Sequence, residues 1–503
     1  MSRRSDTISA AVDGDNYDIA IIGGGINGAC LFDLLCRRGY RTILIDKGDF
    51  AGGTSQASAM MIWGGLLYLR NLDILSVFNF SRSRDQMIRT MADWISPCRF
   101  RFLPTQKGLL SKLPILSAMY LYWVLGCFNR QKPSVEARFP GQEHLIRCTD
   151  SLLFEEGMLR CSDCRFVLHW LTRKRPPQQS ALNYCELKGG DYNTKERLWH
   201  LKARDRISSK DIEICSRVVI NCGGVWTDRI NRSMNIQSPF KHVFSKGVFI
   251  GFQRPEEQTT PLVFAQKEQN DVMLSIPWGP VSLWGPTEDT VTDIERGFKV
   301  SADDIRFLLE QYQHHMNTIP DRDDIVSLRC GIRPLAVKKD YHKDEYPLDL
   351  SRSFKVAVDT DTPWISVYGG KITGCNHAAD VVATKVATLA APQLKQADPV
   401  MESGKTEQSC PTTHFPGLTA QSPTLEWCME HEHCHTLADY LRRRTNIAQW
   451  VQREGLGRQS ENRVHLRSLC LTLADGDAEA ADRELDGYSQ QVTTRFDRIL
   501  EHV

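Results

Sequence analysis

The first fifty residues combine two short apolar runs with one amphipathic segment between them. Tyr17–Ile22 is an apolar, partly β-branched run that ends at three glycines, which predicts a buried strand. Asn27–Arg38 carries apolar residues at helical spacing with basic residues at its end, and Gly39 predicts the end of this helix. Arg41–Asp46 predicts a second strand. This strand–helix–strand order is the unit from which parallel sheets are built.

Beyond residue 150, strands and turns predominate and predict a mixed sheet in a second lobe. The predicted strands include Arg217–Asn221, Gly247–Gly251 and Val272–Pro277. Ser301–Met316 predicts a helix, and Trp364–Tyr368 predicts a strand that leads into a glycine pair and another helix. Because 503 residues exceed what one hydrophobic core usually supports, we expect residues 17–395 to form a two-lobed body.

The remaining segments differ in composition from this body. Residues 1–16 are polar and are predicted to be disordered. Residues 396–424 fall in a stretch rich in Pro, Gln, Ser and Thr, which predicts a linker or surface wrap. Residues 425–503 predict a small C-terminal helical domain.

Hydropathy and charge restrict the class of protein. The longest apolar stretch, Leu113–Phe128, is shorter than the roughly 20 residues that a membrane-spanning helix needs. We expect it to form a buried helix, and the alternative is a helix lying in a membrane surface. The 62 basic and 61 acidic residues leave a net charge of +1, which gives no reason to expect nucleic acid as a partner. With 16 scattered cysteines and no apolar leader, we expect free thiols in a cytoplasmic protein.

The glycines after the first strand form a dinucleotide-binding motif. Residues 23–28 fit the pattern G-x-G-x-x-G, and Asp46 ends the next strand at close to the ~20-residue distance that the fold requires. Gly23 allows the tight turn, Gly25 lets backbone approach the pyrophosphate, and Gly28 lets helix and strand pack closely. The helix N-terminus attracts phosphate. The alternative is a glycine-rich turn without a ligand.

The next segment extends this candidate site. Lys47–Ser58 is a loop of small and hydroxyl residues that can lie along an extended cofactor and hydrogen-bond its phosphates. It leads into Ile62–Leu69, which reads IWGGLLYL.

From these residues onward the sequence resembles the FAD-dependent glycerol-3-phosphate dehydrogenases, a branch of the D-amino-acid-oxidase-like flavoproteins. Further similar blocks follow in the family's order, namely Val219–Asp228 (VINCGGVWTD), Ser245–Gly247, Arg329–Leu335 (RCGIRPL), Val367–Thr373 (VYGGKIT) and Glu430–Asn446. The resemblance covers nearly the whole chain from Tyr17. It implies an α/β fold in which a Rossmann-type FAD-binding domain carries an inserted mixed-sheet substrate domain and a C-terminal helical cap domain.

The resemblance also implies FAD as cofactor and a set of site residues. The candidate cofactor-binding residues are Gly23, Gly25, Ile26, Asn27, Gly28, Asp46, Lys47, Thr54, Ser55, Gly64, Gly65, Gly224, Trp226, Gly370, Lys371, Ile372 and Thr373. The candidate catalytic residues are Arg333, Lys371 and Tyr68. Lys371 and the helix after Gly369-Gly370 would stabilise negative charge on the reduced flavin ring. Arg333 would clamp an anionic group of the substrate, and a structural salt bridge is its alternative role.

Several departures from the family pattern fall in the substrate site. Where the family reads Lys-Leu-Ile-His-Gly-Gly-Leu-Arg-Tyr-Leu, this chain replaces the Lys, His and Arg by Met60, Trp63 and Leu67. The other departures are Val248-Phe249 for Ser-His, Pro286-Thr287-Glu288 for Thr-Thr-Asp, and Gly374-Cys375-Asn376 after the Gly-Gly-Lys turn. Loss of cationic and imidazole groups weakens phosphate recognition and general-base catalysis. Alternatively, Arg70, Lys246 or His377 take over these roles.

The leading expectation is an FAD-dependent dehydrogenase or oxidase that transfers hydride from a small hydroxy or amino compound to flavin N5, with a substrate that has diverged from glycerol 3-phosphate. The alternatives are an authentic glycerol-3-phosphate dehydrogenase and a flavin-binding scaffold that has lost catalysis. The resemblance implies a membrane quinone as electron acceptor, docked at Leu113–Phe128 by peripheral contact with the inner face of the membrane. Oxygen or a soluble carrier is equally consistent with the residues.

No metal site is predicted. Cys161 and Cys164 have C-x-x-C spacing but no second such pair at zinc-finger distance, which favours a structural pair. The residues Cys428, His431, His433, Cys434 and His435 have metal-like spacing, but they fall in the block similar to the family's cap helix. The tandem arginines Arg442–Arg444 are predicted to pair with acids.

Overall fold

The computed structural model describes residue 8 and residues 16–104, 109–146, 150–173, 175–176, 178–265, 272–318, 320–341, 353–396 and 410–503. Most of the segment 1–16 predicted to be disordered, and residues 397–409 of the predicted linker, therefore lie outside the described residues. Two large sheets and a helical C-terminal region make up the described part.

The first sheet is built around the parallel strands that the sequence predicts. Its strands are β1 (Tyr17–Ile22), β2 (Thr42–Ile45), β7 (Gln179–Leu182), β8 (Cys185–Asn193), β9 (Leu198–Asp205), β10 (Lys210–Asn221), β17 (Lys355–Asp359) and β18 (Trp364–Tyr368). They lie in the order β17-β18-β10-β1-β2-β7, and β9 joins β10 to β8. β1 runs parallel to β2 and β10, and all of its residues are buried. This burial explains its continuous apolar run, because parallel strands are covered on both faces.

The second sheet is mostly antiparallel. Its strands are β3 (Met61–Ile62), β4 (Ile95–Leu103), β5 (Ser134–Glu136), β6 (Ser151–Leu159), β11 (Phe240–Gln253), β12 (Leu262–Ala265), β13 (Val272–Trp278), β14 (Val281–Gly285), β15 (Asp289–Val291) and β16 (Ile325–Lys338). β11 and β16 pair over nearly their full length, whereas β4 and β12 run parallel. The predicted strands Gly247–Gly251 and Val272–Pro277 lie within β11 and β13. The predicted mixed sheet is therefore confirmed.

The helices cover the sheets and form the C-terminal region. They are α1 (Ile26–Arg37), α2 (Ile74–Thr90), α3 (Leu109–Leu125), α4 (Asp163–Leu171), α5 (Thr227–Ser233), α6 (Ile294–Gly297), α7 (Ala302–His315), α8 (Cys375–Leu389), α9 (Leu425–His431), α10 (Ile447–Trp450), α11 (Arg463–Leu473), α12 (Ala478–Val492) and α13 (Arg498–Leu500). α1 packs between α4 and α8 on one face of the first sheet. α7 begins after Ser301, whose hydroxyl accepts a hydrogen bond from the Asp304 amide in a capping box.

Most of the apolar stretch Leu113–Phe128 lies in α3, which ends at Leu125, but the predicted burial is wrong for one face of this segment. Met119 and Tyr122 are buried, whereas Leu121, Val124 and Phe128 are 45%, 47% and 58% exposed. The helix lies at the surface and packs on α2 and on the turn Leu66–Asn71, so one face has no protein above it among the described residues. No described helix has the length and apolar content needed to cross a membrane.

The C-terminal region is helical from Leu425, as the sequence predicts. Before it, part of the predicted linker forms a hairpin of β19 (Thr412–His414) and β20 (Gln421–Pro423). The C-terminal helices share a hydrophobic core with residues of the second sheet, including Phe252 and Trp284. The region therefore packs as part of the main body.

Candidate active site

One cavity of about 1410 Å³ opens at the carboxyl ends of the parallel strands. Its walls come from the turn after β1, the end of β2, the turn after β10 and the turn after β18. In open parallel sheets this edge is the usual place for a ligand. Both lobes line the cavity, because the second sheet contributes Phe249, Leu274 and Arg333.

The glycine motif is packed so closely that it has no room for side chains. Gly23 has a positive φ of 111°, and an added Cβ would lie 2.5 Å from the Cys222 carbonyl oxygen. At Gly28 an added Cβ would lie 1.9 Å from the Gly23 carbonyl oxygen. α1 begins directly at this turn without a side-chain cap at Gly25. Its first amides therefore face the cavity as a site for anions.

Asp46 lies at the end of β2 and lines the same cavity. Its carboxylate accepts hydrogen bonds from the backbone amides of Gly24 and Gly48, at 2.7 Å and 2.9 Å. Burial raises the pKa of Asp46 to about 6, although these two hydrogen bonds oppose the shift. The position agrees with the acid that the dinucleotide motif requires after its second strand.

The loop after Asp46 wraps the cavity and is fixed at several points. Ser55 Oγ accepts a hydrogen bond from the Ile26 amide at 3.0 Å. Thr54 Oγ1 donates to the Ile332 carbonyl at 2.6 Å, which ties the loop to the second sheet. The Lys47 ammonium lies 3.7 Å from the centroid of the Trp226 ring, a cation–π contact across the cavity wall.

Most of the residues predicted to bind the cofactor line this one cavity. Those that line it are Gly23, Gly25, Ile26, Asn27, Asp46, Lys47, Thr54, Ser55, Gly224, Trp226, Gly370, Lys371, Ile372 and Thr373. Gly28, Gly64 and Gly65 do not. Gly28 packs beneath Gly23, and Gly64 packs on the buried side chains of Arg84 and Tyr122. These three glycines therefore shape the backbone around the site instead of facing it.

The three predicted catalytic residues all line the cavity, and two of them, Lys371 and Tyr68, are in contact. Arg333 Nη1 donates to Glu288 Oε2 at 2.7 Å and to Ser245 Oγ at 3.2 Å. Arg333 thus makes the salt bridge that was its alternative role, and it also lines the cavity. The Lys371 ammonium contacts the Tyr68 hydroxyl and lies 4.2 Å from the Tyr68 ring centroid. Burial lowers the pKa of Lys371 to about 7.

Three of the residues that depart from the family pattern make part of the cavity wall apolar. Trp63, Leu67 and Phe249 all line the cavity. The Trp63 ring is held edge-to-face between Phe100 and Phe154, with centroid distances of 6.3 Å and 6.1 Å. These contacts fix the indole as a wall of the site.

Of the three proposed replacement groups, Arg70 lines the cavity. It lies three residues after Leu67 in a 3₁₀ turn, Leu66–Asn71, so the two side chains share a face. Lys246 instead binds Asp304 in a neighbouring cavity. His377 is exposed and packs against the Phe354 ring, with centroids 5.4 Å apart.

Sequence reasoning missed a buried ion network between the cavity loop and the C-terminal region. The Asp49 carboxylate accepts two hydrogen bonds from Arg444, at 2.7 Å and 2.8 Å, and one from Arg443. Arg443 itself lines the cavity. The tandem arginines were predicted to pair with acids, and Arg443 and Arg444 do, but nothing local in the sequence indicated Asp49 as their partner. The C-terminal region therefore contributes directly to the site.

The two discounted cysteine and histidine motifs form no metal cluster among the described residues. Cys161 and Cys164 are free thiols, and burial raises the pKa of each to about 12. The ring of His431 stacks on Trp427, whereas the rings of His433 and His435 contact Phe50 and Tyr184 edge-to-face. Each ring contacts a different neighbour, so the spacing of these histidines in the sequence does not bring them together into one metal site.

Comparisons with known proteins agree with this geometry. A model of the FAD dependent oxidoreductase family matches residues 18–349. The aerobic glycerol-3-phosphate dehydrogenase of Escherichia coli (strain K12) is 27% identical over 386 residues, which cover 74% of each protein. That of Staphylococcus epidermidis (strain ATCC 35984) is 26% identical over 424 residues, covering 82% of this chain and 72% of the relative.

Solved structures share the fold. The glycerol-3-phosphate dehydrogenase from Bacillus halodurans, complexed with FAD, has a TM-score of 0.70 at 17% identity, covering 100% of this chain and 97% of that one. The L-alpha-glycerophosphate oxidase from Mycoplasma pneumoniae, with FAD bound, has a TM-score of 0.58 at 12% identity, covering 76% and 97%. A two-lobed body of this kind is therefore an established flavoprotein architecture.

Proposed function

The chain belongs to the FAD dependent oxidoreductase family, and we propose that it oxidises a small hydroxy or amino compound with one anionic group, a substrate distinct from glycerol 3-phosphate. One observation carries this proposal. The cavity wall combines Arg333, Lys371 and Tyr68 with the apolar side chains of Trp63, Leu67 and Phe249. Relative to the family pattern, this wall has lost the positive charge of the arginine that Leu67 replaces and the imidazoles that Trp63 and Phe249 replace, which weakens recognition of a dianionic phosphate.

The fit to FAD rests on the crowded glycine turn, the uncapped start of α1 and Asp46. We propose that the turn and α1 hold the pyrophosphate and that Asp46 accepts hydrogen bonds from the ribose. When bound, FAD would supply the acceptor for a hydride from the substrate carbon. The first turn after Gly370 and the Lys371 ammonium then supply positive charge next to the flavin site.

Each substrate-site side chain has a separate role in this proposal. Arg333 holds the anionic group of the substrate, and Glu288 and Ser245 fix the orientation of its guanidinium. Gly247 makes room for that guanidinium, because an added Cβ would lie 2.4 Å from Arg333 Nη2. Lys371 contacts the Tyr68 hydroxyl, and because its pKa is about 7, its positive charge beside the flavin site is present at lower pH and lost at higher pH.

Arg70 favours a second candidate function, the oxidation of glycerol 3-phosphate itself. It shares a face of the 3₁₀ turn with Leu67 and lines the cavity, so its guanidinium is near the position of the arginine in the family pattern. The relatives named above carry that activity in their names.

The two candidates separate in one experiment with purified, flavin-loaded protein. Anaerobic bleaching of the flavin absorbance is followed after addition of glycerol 3-phosphate to the wild type and to Leu67→Arg. A diverged substrate predicts slow bleaching of the wild type and an increase of roughly 10–100-fold in Leu67→Arg, because a hydrogen bond to a charged group contributes about 1.5–3 kcal/mol. Val464→Arg, at an exposed position in the C-terminal region that does not line the cavity, serves as the control. Fast bleaching of the wild type that is lost in Arg70→Met would instead support the second candidate.

We further propose that the electron acceptor is a membrane quinone that reaches the site through an exposed apolar patch. The patch consists of Leu72, Ile74, Leu75, Leu121, Val124 and Phe128. Leu72 follows directly after Arg70 and Asn71, which line the cavity, so the patch borders its mouth. Exposed apolar side chains on neighbouring elements are typical of a surface for lipid or protein.

Flotation with phospholipid vesicles tests this membrane contact. The wild type is expected to float, and Leu121→Ser/Val124→Ser is expected to stay at the bottom while keeping its flavin. A wild-type protein that does not float, and that reduces a water-soluble acceptor as fast as a quinone in vesicles, would contradict the proposal.

The remaining alternative is a flavin-binding scaffold. It would be supported if no hydroxy or amino compound reduces the bound flavin.

A further inference from the structure

Three side chains of types that can bind a metal ion lie close together on the first sheet, and none of them lines the cavity. His200 on β9 lies directly opposite Cys215 on β10 in the antiparallel register. Glu213 precedes Cys215 by two residues, so its side chain is on the same face. His200 Nδ1 lies 2.9 Å from Glu213 Oε1 and 3.5 Å from Cys215 Sγ. The three ligand atoms all lie within 4.8 Å of one another.

These separations are close to those between ligands of a tetrahedral metal ion. Zinc binds thiolate sulfur at ~2.3 Å and imidazole or carboxylate at ~2.0–2.2 Å, which sets its donor atoms about 3–4 Å apart. Sulfur, imidazole and carboxylate together select zinc over the alkaline-earth cations, which prefer oxygen alone. The donor atoms and the spacing of the three side chains are therefore both suited to a zinc ion.

A fourth residue holds the imidazole in the orientation that a metal ligand needs. Glu196 Oε2 lies 2.8 Å from His200 Nε2, the ring nitrogen that the cluster does not use. A metal-binding histidine almost always donates its other N–H to a carboxylate, carbonyl or water. His200 and Glu213 are 33% and 62% exposed, so an ion has access and a water can take the remaining position.

We propose that His200, Glu213 and Cys215 form a zinc-binding site with Glu196 as the partner that orients His200. The site joins β9 to β10, the strand whose end reaches the cavity at Asn221-Cys222. Its role is to clamp two strands and not to take part in the oxidation, because none of its residues lines the cavity. The sequence predicted no metal site, since His200 and Cys215 meet through strand pairing and not through local spacing.

The test uses the full-length, flavin-loaded protein without a histidine tag, stripped with a chelator and then titrated with Zn²⁺ against a chromogenic chelator. One equivalent is expected to bind. Cys215→Ser is expected to abolish zinc binding. Glu196→Gln is expected to weaken zinc binding roughly 10–100-fold, because loss of the residue that hydrogen-bonds a metal ligand has an effect of this size in metalloproteins. Cys127→Ser, at an exposed cysteine outside the cluster, is the matched control and should bind like the wild type.

Cobalt supplies a second readout that reports on the thiolate itself. Co²⁺ added to the stripped protein is expected to give a thiolate-to-metal charge-transfer band in the difference spectrum, present in Cys127→Ser and absent in Cys215→Ser. Unchanged circular dichroism and flavin absorbance would show that Cys215→Ser remains folded. Failure of the wild type to bind Zn²⁺ would overturn the proposal. Binding that survives in Cys215→Ser would overturn it as well, because the ion would then be held by other residues.

Discussion

Substitution of Asp49 by Asn tests whether the C-terminal region holds the cavity loop in place. The Asp49 side chain is 1% exposed and its partner Arg444 is 0% exposed. The carboxylate also accepts a hydrogen bond of 2.8 Å from Asn183, so all of its contacts are internal. Burial by itself would raise the pKa of Asp49, but the charges and hydrogen bonds of Arg444 and Arg443 outweigh it and hold the pKa well below its ordinary value.

The magnitude follows from leaving a charge buried without its partner. In Asp49→Asn the guanidinium of Arg444 keeps its burial and its bonds to the carbonyls of Glu432 and His433, but it loses the carboxylate. Removal of one member of a buried ion pair costs about 3–5 kcal/mol. This corresponds to roughly a hundredfold to several-thousandfold change in the equilibrium between folded and unfolded protein.

Urea titration followed by tryptophan fluorescence and by release of flavin fluorescence measures this cost. We expect both transitions of Asp49→Asn to move to lower urea, because Arg443 lines the cavity and loses the same partner. The exposed pair Arg463–Asp486 gives the control, and Asp486→Asn should leave both transitions unchanged. Because the folded-state pKa of Asp49 is lowered, its stabilising effect is present above the unfolded pKa of about 3.9 and is lost as pH falls below it. If the free energy of unfolding of Asp49→Asn at pH 7 lies within about 1 kcal/mol of the wild-type value, this ion network does not hold the C-terminal region in place.

Three further predictions concern the cavity itself. Gly28→Ala should purify with little FAD, since its Cβ would lie 1.9 Å from the Gly23 carbonyl oxygen, whereas Gly189→Ala, with nothing within 4 Å, should keep a full flavin spectrum. Arg333→Met should raise KM for the anionic substrate roughly 10–100-fold with a smaller change in kcat; an unchanged KM would assign Arg333 to structure alone. Because the pKa of Lys371 is about 7, the ammonium should lose its charge as pH rises through 7, and the rate of anaerobic flavin reduction by the substrate should fall. Lys371→Arg should remove that pH dependence, and a wild-type profile in this variant would contradict the role of Lys371.

The parts of the fold that the sequence predicts well are those fixed by local pattern. The buried strand Tyr17–Ile22, the glycine turn, the helix after it and Asp46 follow one another within thirty residues, and each constrains the next. Turn geometry and burial leave few alternatives for such a segment. The dinucleotide site is therefore predictable from sequence.

Features that depend on distant contacts were not predictable in the same way. Asp49 and Arg444 are separated by 395 residues, and His200 meets Cys215 through strand register. The exposed face of α3 follows from where that helix packs, because its composition is apolar all round. Gly64 matched the family pattern, yet it packs on Arg84 and Tyr122 behind the cavity wall.

The most direct test of the central claim is the visible spectrum of the purified protein before and after anaerobic addition of glycerol 3-phosphate, followed by a panel of monoanionic hydroxy and amino compounds. We expect an oxidised flavin spectrum that persists with glycerol 3-phosphate and bleaches with a member of the panel. A colourless protein that cannot be reconstituted with FAD would exclude an FAD-dependent enzyme, and rapid bleaching by glycerol 3-phosphate would exclude a diverged substrate.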